Sequence, residues 1–207
     1  MQNFLAMAAV IINQDAANLK LVADRLHSSV IEVKASRKDE SPSWGTGVLL
    51  GDGLALTAFH NVGVTAADGR ISAMRDVVAI VYDHGEVRAH VVAGAPELDL
   101  AILRLDSKDA PEAAPLATQP PTVGERLVAM GASDEQIVAA GVTVSKESDD
   151  GSLLLVSSRN IDSRFWGGPV FDAEGHLTAM TLTSMGQIKA VSISSLRSLI
   201  DQAAAAK

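Results

Sequence analysis

Between Ser29 and Ser194 the chain never sustains the 3.6-residue periodicity of an amphipathic helix, and its apolar runs are short. Parallel strands need long crossover connections, usually helical. Short apolar runs without such crossovers therefore point to antiparallel pairing in a barrel or sandwich. Six runs come first, at 29–36, 46–51, 53–62, 77–85, 87–94 and 99–106, several divided by turn signals such as Gly51-Asp52-Gly53. Six more follow at 126–132, 137–145, 152–158, 168–172, 176–184 and 188–194. Between the sets, residues 106–124 hold four of the seven prolines and almost no periodic hydrophobicity.

Helical patterning is confined to the two ends. From Asp15 to His27, Leu19, Val22 and Leu26 share one face. At the other end Ser194 or Ser195 can cap an Ala-rich helix that carries Leu196, Leu199 and Ile200 inward. The expected organisation is an apolar segment and helix over 1–28, a first strand set over 29–106 and a Pro-rich linker over 107–124. A second strand set over 125–192 and a C-terminal helix over 193–207 complete it.

Composition removes several function classes. There is no cysteine, which excludes disulfide scaffolds, Cys-based zinc sites, iron–sulfur clusters and a thiol nucleophile. The net charge of −8 argues against a nucleic-acid partner, which needs a basic face. No run of about 18 apolar residues is present, so no transmembrane segment is expected. Phe4–Ile12 has the length of a signal-peptide core but lacks the basic flank, since the first lysine is Lys20. It reads as an ordered segment that packs on the body or on a partner, with a signal peptide as the alternative. The cytoplasm is thus the favoured compartment, and the periplasm or secretion the alternative. His27, His84, His90 and His176 lie in different elements without the spacing of a metal site, so neither metal nor cofactor is expected.

Three segments carry chemistry. Gly45-Thr46-Gly47 leads into a run that ends at His60, which would leave its imidazole at a barrel rim. By itself such a histidine is an ordinary surface residue. Asp99 opens the apolar run to Leu105 and, partly buried, needs donors for its carboxylate. A turn-capping aspartate would look the same. Trp166-Gly167-Gly168-Pro169 feeds the hairpin whose turn is Asp172-Ala173-Glu174-Gly175.

Together, and in this order, these segments resemble the trypsin-like serine proteases, and the bacterial HtrA-type branch fits best. Thr57–Val62 resembles the family's histidine segment, Glu97–Leu105 its aspartate segment, and Gly167–Met180 the stretch after its nucleophile. The resemblance covers residues 17–205. It implies an all-β fold of two six-stranded antiparallel β-barrels with short N- and C-terminal helices and a site in the cleft between the barrels. It also implies that no regulatory PDZ module of the kind many HtrA relatives carry follows residue 207.

His60 and Asp99 match the family's base and its orienting carboxylate. The family's nucleophile turn reads Gly-[Asp/Asn]-Ser-Gly-Gly-Pro, whereas here Arg164-Phe165-Trp166-Gly167-Gly168-Pro169 stands in its place. The serine position is Trp166, and the glycine that lends its N–H to the oxyanion hole is Arg164. The resemblance implies a homologue that has lost its nucleophile and binds a protein or peptide in the cleft, with Arg164, Gly167, Thr181, Leu182, Thr183 and Ser184 as its contacts. The alternative is an active endopeptidase with a rearranged site that uses Ser163 with His60 and Asp99. Ser163 starts about 10 Å from the family position at ~3.3 Å per extended residue. Oligomeric state is not legible from the residues.

Overall fold

The computed structural model describes residues 17–36, 41–65, 71–73, 76–81, 84–107, 113–134, 136–157, 161–182 and 188–205. The apolar segment Phe4–Ile12 and the expected contacts Thr183 and Ser184 lie outside the described residues. Helix α1 spans 17–26. The strands are β1 (Val30–Ser36), β2 (Ser43–Gly51), β3 (Leu54–Ala58), β4 (Gly63–Thr65), β5 (Ile71–Ala73), β6 (Asp76–Val81), β7 (Gly85–Ala95) and β8 (Leu100–Leu105). They continue with β9 (Arg126–Ser133), β10 (Gln136–Glu147), β11 (Ser152–Val156), β12 (Pro169–Phe171), β13 (Leu177–Leu182) and β14 (Ile188–Ser192). A short helical turn α2 (Phe59–Val62) follows β3, and α3 (Arg197–Ala205) closes the chain.

Two closed antiparallel barrels result, in the orders β1-β2-β3-β8-β7-β6 and β10-β11-β14-β13-β12-β9. Closure leaves neither barrel an unpaired edge along its wall. Each central strand is buried on both faces, and residue parity sorts its side chains. In β8, Ala101, Leu103 and Leu105 fill the first barrel, while Leu100 and Ile102 enter a core between the barrels. In β9, Leu127 and Ala129 fill the second barrel, while Val128 and Met130 meet that shared core. This double burial is why these strands read as continuous apolar runs.

Both terminal helices pack on the shared core, α1 through Val22 and Leu26, α3 through Ile200 and Ala203. Among the described residues no helix is long and apolar enough to cross a membrane.

The structure departs from the sequence reading at four places. The run that holds His60 stops being a strand at Ala58, and His60 stands on α2. A small hairpin, β4–β5, follows with no counterpart in the expected strand sets. The Pro-rich stretch is strapped down: Leu177 N–H donates to Pro115 O at 2.7 Å, and Ala117 N–H donates to Leu177 O at 3.0 Å. Ala114 and Ala117 join the shared core. At the C-terminal end the cap is Ser192, two or three residues before the expected Ser194 or Ser195, and it serves a 3₁₀ turn at Ile193–Leu196 that precedes α3. Ser192 is extended (φ −64°, ψ 139°) and its side chain accepts from Ser194 N–H, the geometry an N-cap requires.

Candidate active-site cleft

The connection before β8 ends in a 3₁₀ turn, Pro96–Leu98, capped by Asp99 in the left-handed region at φ 53°, ψ 44°. Aspartate is among the few non-glycine residues that tolerate this conformation. The backbone reversal aims the carboxylate at α2. Asp99 Oδ1 accepts from His60 N–H at 2.9 Å, and Oδ2 lies 2.6 Å from His60 Nδ1. Asp99 O also accepts from Phe59 N–H at 2.9 Å. One residue thereby holds both the turn and its imidazole. The carboxylate only accepts, so the proton of neutral His60 is assigned to Nδ1 and the lone pair to Nε2.

His60 Nε2 is buried and has no hydrogen-bond partner among the described residues. With Nδ1 on Asp99, no hydroxyl among the described residues, that of Ser163 included, hydrogen-bonds the imidazole. The Trp166 ring stands edge-on to His60, with centroids 6.0 Å apart and planes at 76°. The indole remains 40% exposed. Asp99→Ala is expected to cost about 1–3 kcal/mol, because it strands the donors of His60. Asp99→Asn is expected to cost less, since Asn keeps an acceptor and tolerates the left-handed backbone. Urea unfolding of the two variants checks the order.

Trp166 belongs to a turn whose N–H groups from Arg164 to Gly168 find partners within the protein. Ser163–Phe165 form a 3₁₀ turn capped by Asp162. Arg164 N–H donates to Asp162 Oδ1 at 3.0 Å, Phe165 N–H to Asp162 O at 3.1 Å, and Trp166 N–H to Ser163 O at 3.1 Å. Gly167 N–H donates to Thr181 O and Gly168 N–H to Phe165 O. The Arg164 guanidinium grips the Asp162 carboxylate again, through Nε at 3.0 Å and the second terminal nitrogen at 2.7 Å. The Arg164 side-chain hydrogen bond holds Asp162 below the ordinary carboxylate range, against a smaller opposing effect of burial. Depression means that the cap is fully made above that ordinary value of 3.8, and is lost only as the pH falls through the lower folded value. Arg164 is correspondingly raised above its usual range.

Gly167 and Gly168 let this turn seat against both barrels. Gly167 has φ 72°, and a Cβ there would stand 2.6 Å from Ala58 N and 2.7 Å from Thr46 O. A Cβ on Gly168 would collide with the Met130 carbonyl.

A histidine oriented by a half-buried carboxylate, facing a Gly-Gly-Pro turn between two closed six-stranded barrels, is the layout of one family. The trypsin-like peptidase domain profile matches residues 45–180. The chain belongs to the trypsin-like peptidase family. Among curated proteins it is similar to the anti-sigma-I factor RsgI9 of Acetivibrio thermocellus, at 30% identity over 167 residues. That match takes in 75% of this chain and 22% of the relative, so the chain spans about a fifth of that protein's length.

Solved structures share the fold. The active form of the Rv3671c protease from M. tuberculosis superposes with a TM-score of 0.75 at 16% identity, covering 90% of this chain and 85% of that one. The serine endoprotease from Yersinia pestis gives a TM-score of 0.73 at 19% identity, with 89% and 66% covered.

This trypsin-like domain holds its cleft together through polar residues that the sequence reading passed over. Thr46 Oγ1 accepts from Ala132 N–H at 2.8 Å and donates to Arg164 O at 2.6 Å, while Thr46 N–H donates to Trp166 O at 2.9 Å. Thr57 Oγ1 donates to Thr46 O at 2.6 Å. Asn61, 1% exposed, donates to Thr57 Oγ1 at 3.1 Å and to Trp166 O at 3.4 Å. The available signal was polar residues inside apolar runs, since a buried polar side chain must find partners.

Of the expected contacts, Arg164 is exposed on the cleft turn but paired with Asp162. Thr181 is buried; its N–H donates to Gly168 O, its carbonyl accepts from Gly167 N–H, and its hydroxyl donates to Phe165 O. The Gly167 N–H and both backbone groups of Thr181 are thus committed within the protein. Leu182 is half-buried and pairs with Lys189. The hairpin turn after β12 forms as expected, with Gly175 N–H donating to Asp172 O at 3.1 Å. It also brings ligand-type atoms of Asp172, Glu174 and His176 within 4.8 Å of one another, a grouping that histidine spacing alone does not reveal. His176 Nδ1 is engaged by Asp172 at 2.9 Å and Arg25 donates to the Glu174 carbonyl, so the group is knitted to the turn and to α1.

Proposed function

We propose that this trypsin-like domain binds a polypeptide partner in its cleft without cutting it. The observation that carries the reading is the Trp166 indole, which stands against His60 at the position where the family's motif has its serine. An indole offers one N–H donor and no nucleophilic oxygen or sulfur. His60 and Asp99 retain the hydrogen-bond geometry of a base and its orienting carboxylate, yet Nε2 has no hydroxyl from which to take a proton. The N–H groups of Arg164 and Trp166, which would have to face a developing oxyanion, point back into their own turn.

A large apolar side chain left 40% exposed beside a cleft is suited to anchor a partner. The curated relative, of which this chain spans about a fifth, carries the name anti-sigma-I factor, which is in keeping with a protein-binding role.

A fluorophosphonate probe tests it. The protein is expected to remain unlabelled at every serine and to retain peptides reversibly from an immobilised library. Stoichiometric labelling of Ser163 would overturn the reading in favour of an active hydrolase with a rearranged site.

A further inference from the structure

The closed state of the 162–166 turn has a specific cause. Asp162 takes two of the turn's N–H groups, that of Arg164 with its carboxylate and that of Phe165 with its carbonyl. The same carboxylate receives the Arg164 guanidinium on both oxygens, in a charge-assisted fork that closes a ring around residues 162–164. From there Trp166 N–H is committed to Ser163 O, and Phe165 anchors the far side of the turn in the core of the second barrel.

Arg164 O is held in turn by Thr46 Oγ1 of the first barrel. The peptide planes of the turn are therefore fixed at both ends, and the Asp162 carboxylate, half-buried, holds one of them together with the exposed Arg164 guanidinium.

We infer that Asp162 is an autoinhibitory latch, which keeps the Arg164 N–H out of the cleft and leaves no oxyanion-binding donor there whether or not a nucleophile stands at position 166. The inference rests on the reading that the cleft does not cut, and it adds a second, conformational block to the chemical one at Trp166. Arginine at 164 reinforces the latch, because it adopts a right-handed turn here and lacks glycine's freedom to rotate its peptide outward.

Two measurements test it on the full chain. The first is amide hydrogen exchange at Arg164 in the otherwise unaltered protein. Asp162→Ala is expected to speed exchange at that amide about tenfold, the loss of one hydrogen bond to a charged acceptor. Asp162→Asn keeps an acceptor for the same N–H and is expected to stay near the parent rate. It also keeps the series readable should the alanine variant fold poorly.

The second uses a serine restored by Trp166→Ser and a fluorophosphonate. Its Oγ–P bond forms as fluoride leaves, and the hydroxyl proton passes to His60 Nε2. Trp166→Ser alone is expected to label no faster than the parent, and Trp166→Ser with Asp162→Ala at least about tenfold faster than the single variant. Equal labelling of single and double variants, or unchanged exchange at Arg164 in Asp162→Ala, overturns the latch. Labelling of the unaltered protein at Ser163 overturns the non-cutting reading instead, so the two failures are told apart.

Discussion

Phe171→Ala is expected to lower the unfolding free energy by about 3–5 kcal/mol, the range for deleting a buried aromatic ring. The ring is fully buried, at the end of β12, and lies in the core shared by the two barrels. That position sets the size of the effect. A cavity is tolerated best where its walls can move inward, and here the walls are strands of two barrels hydrogen-bonded all the way round. The two terminal helices and the strapped Pro-rich segment pack on the same core, so the loss is felt by every part of the fold at once.

In urea the midpoint should fall with an unchanged slope, and for a chain of this size Tm should drop by roughly 6–20 °C. Val156→Ala, at a position 54% exposed, is the control and should stay within about 0.5 kcal/mol of the parent. A loss under about 1 kcal/mol for Phe171→Ala would mean that the barrels repack, and that the shared core does not join them rigidly.

The second large effect is on binding. Trp166→Ala is expected to weaken retention of the library-selected peptides about 30-fold, or about 2 kcal/mol, the level at which tryptophan acts as an interface anchor. Stability should hardly change, because the indole is 40% exposed and the hydrogen bonds of its residue run through the backbone. Trp166→Phe should recover most of the affinity, since it keeps an apolar ring beside His60. The contrast between lost binding and retained Tm separates an anchor from a packing residue. Isothermal titration with one selected peptide measures it, and equal affinity in Trp166→Ala and parent would place the docking surface away from the cleft.

The two sets of six antiparallel strands were legible because burial on alternate faces leaves a local mark, and the barrels followed from the resemblance. In β8 the alternation of Leu100 and Ile102 with Ala101 and Leu103 needs only neighbouring positions to read, and the turn residues between runs mark where each strand stops. His60, Asp99 and the Gly167-Gly168-Pro169 turn stood out through their order along the chain. Other features left no such mark. The helical turn at Phe59–Val62 exists because Asp99, 39 residues later, accepts the His60 N–H. The packing of the Pro-rich linker left no such mark, because the carbonyl that receives Ala117 N–H belongs to Leu177.

The residues themselves determined that the chain forms two sets of antiparallel strands, that it has no thiol, and that a tryptophan directly precedes the Gly167-Gly168-Pro169 turn. Only the tertiary structure decided that the Trp166 ring meets His60 edge-on and that the turn beside it is closed on its own N–H groups. Thr46 bonds a carbonyl 118 residues away, and Asp162 folds back on its own turn. Hydrophobic periodicity records which face of a strand is buried, but it carries no information about which distant polar group will lie opposite.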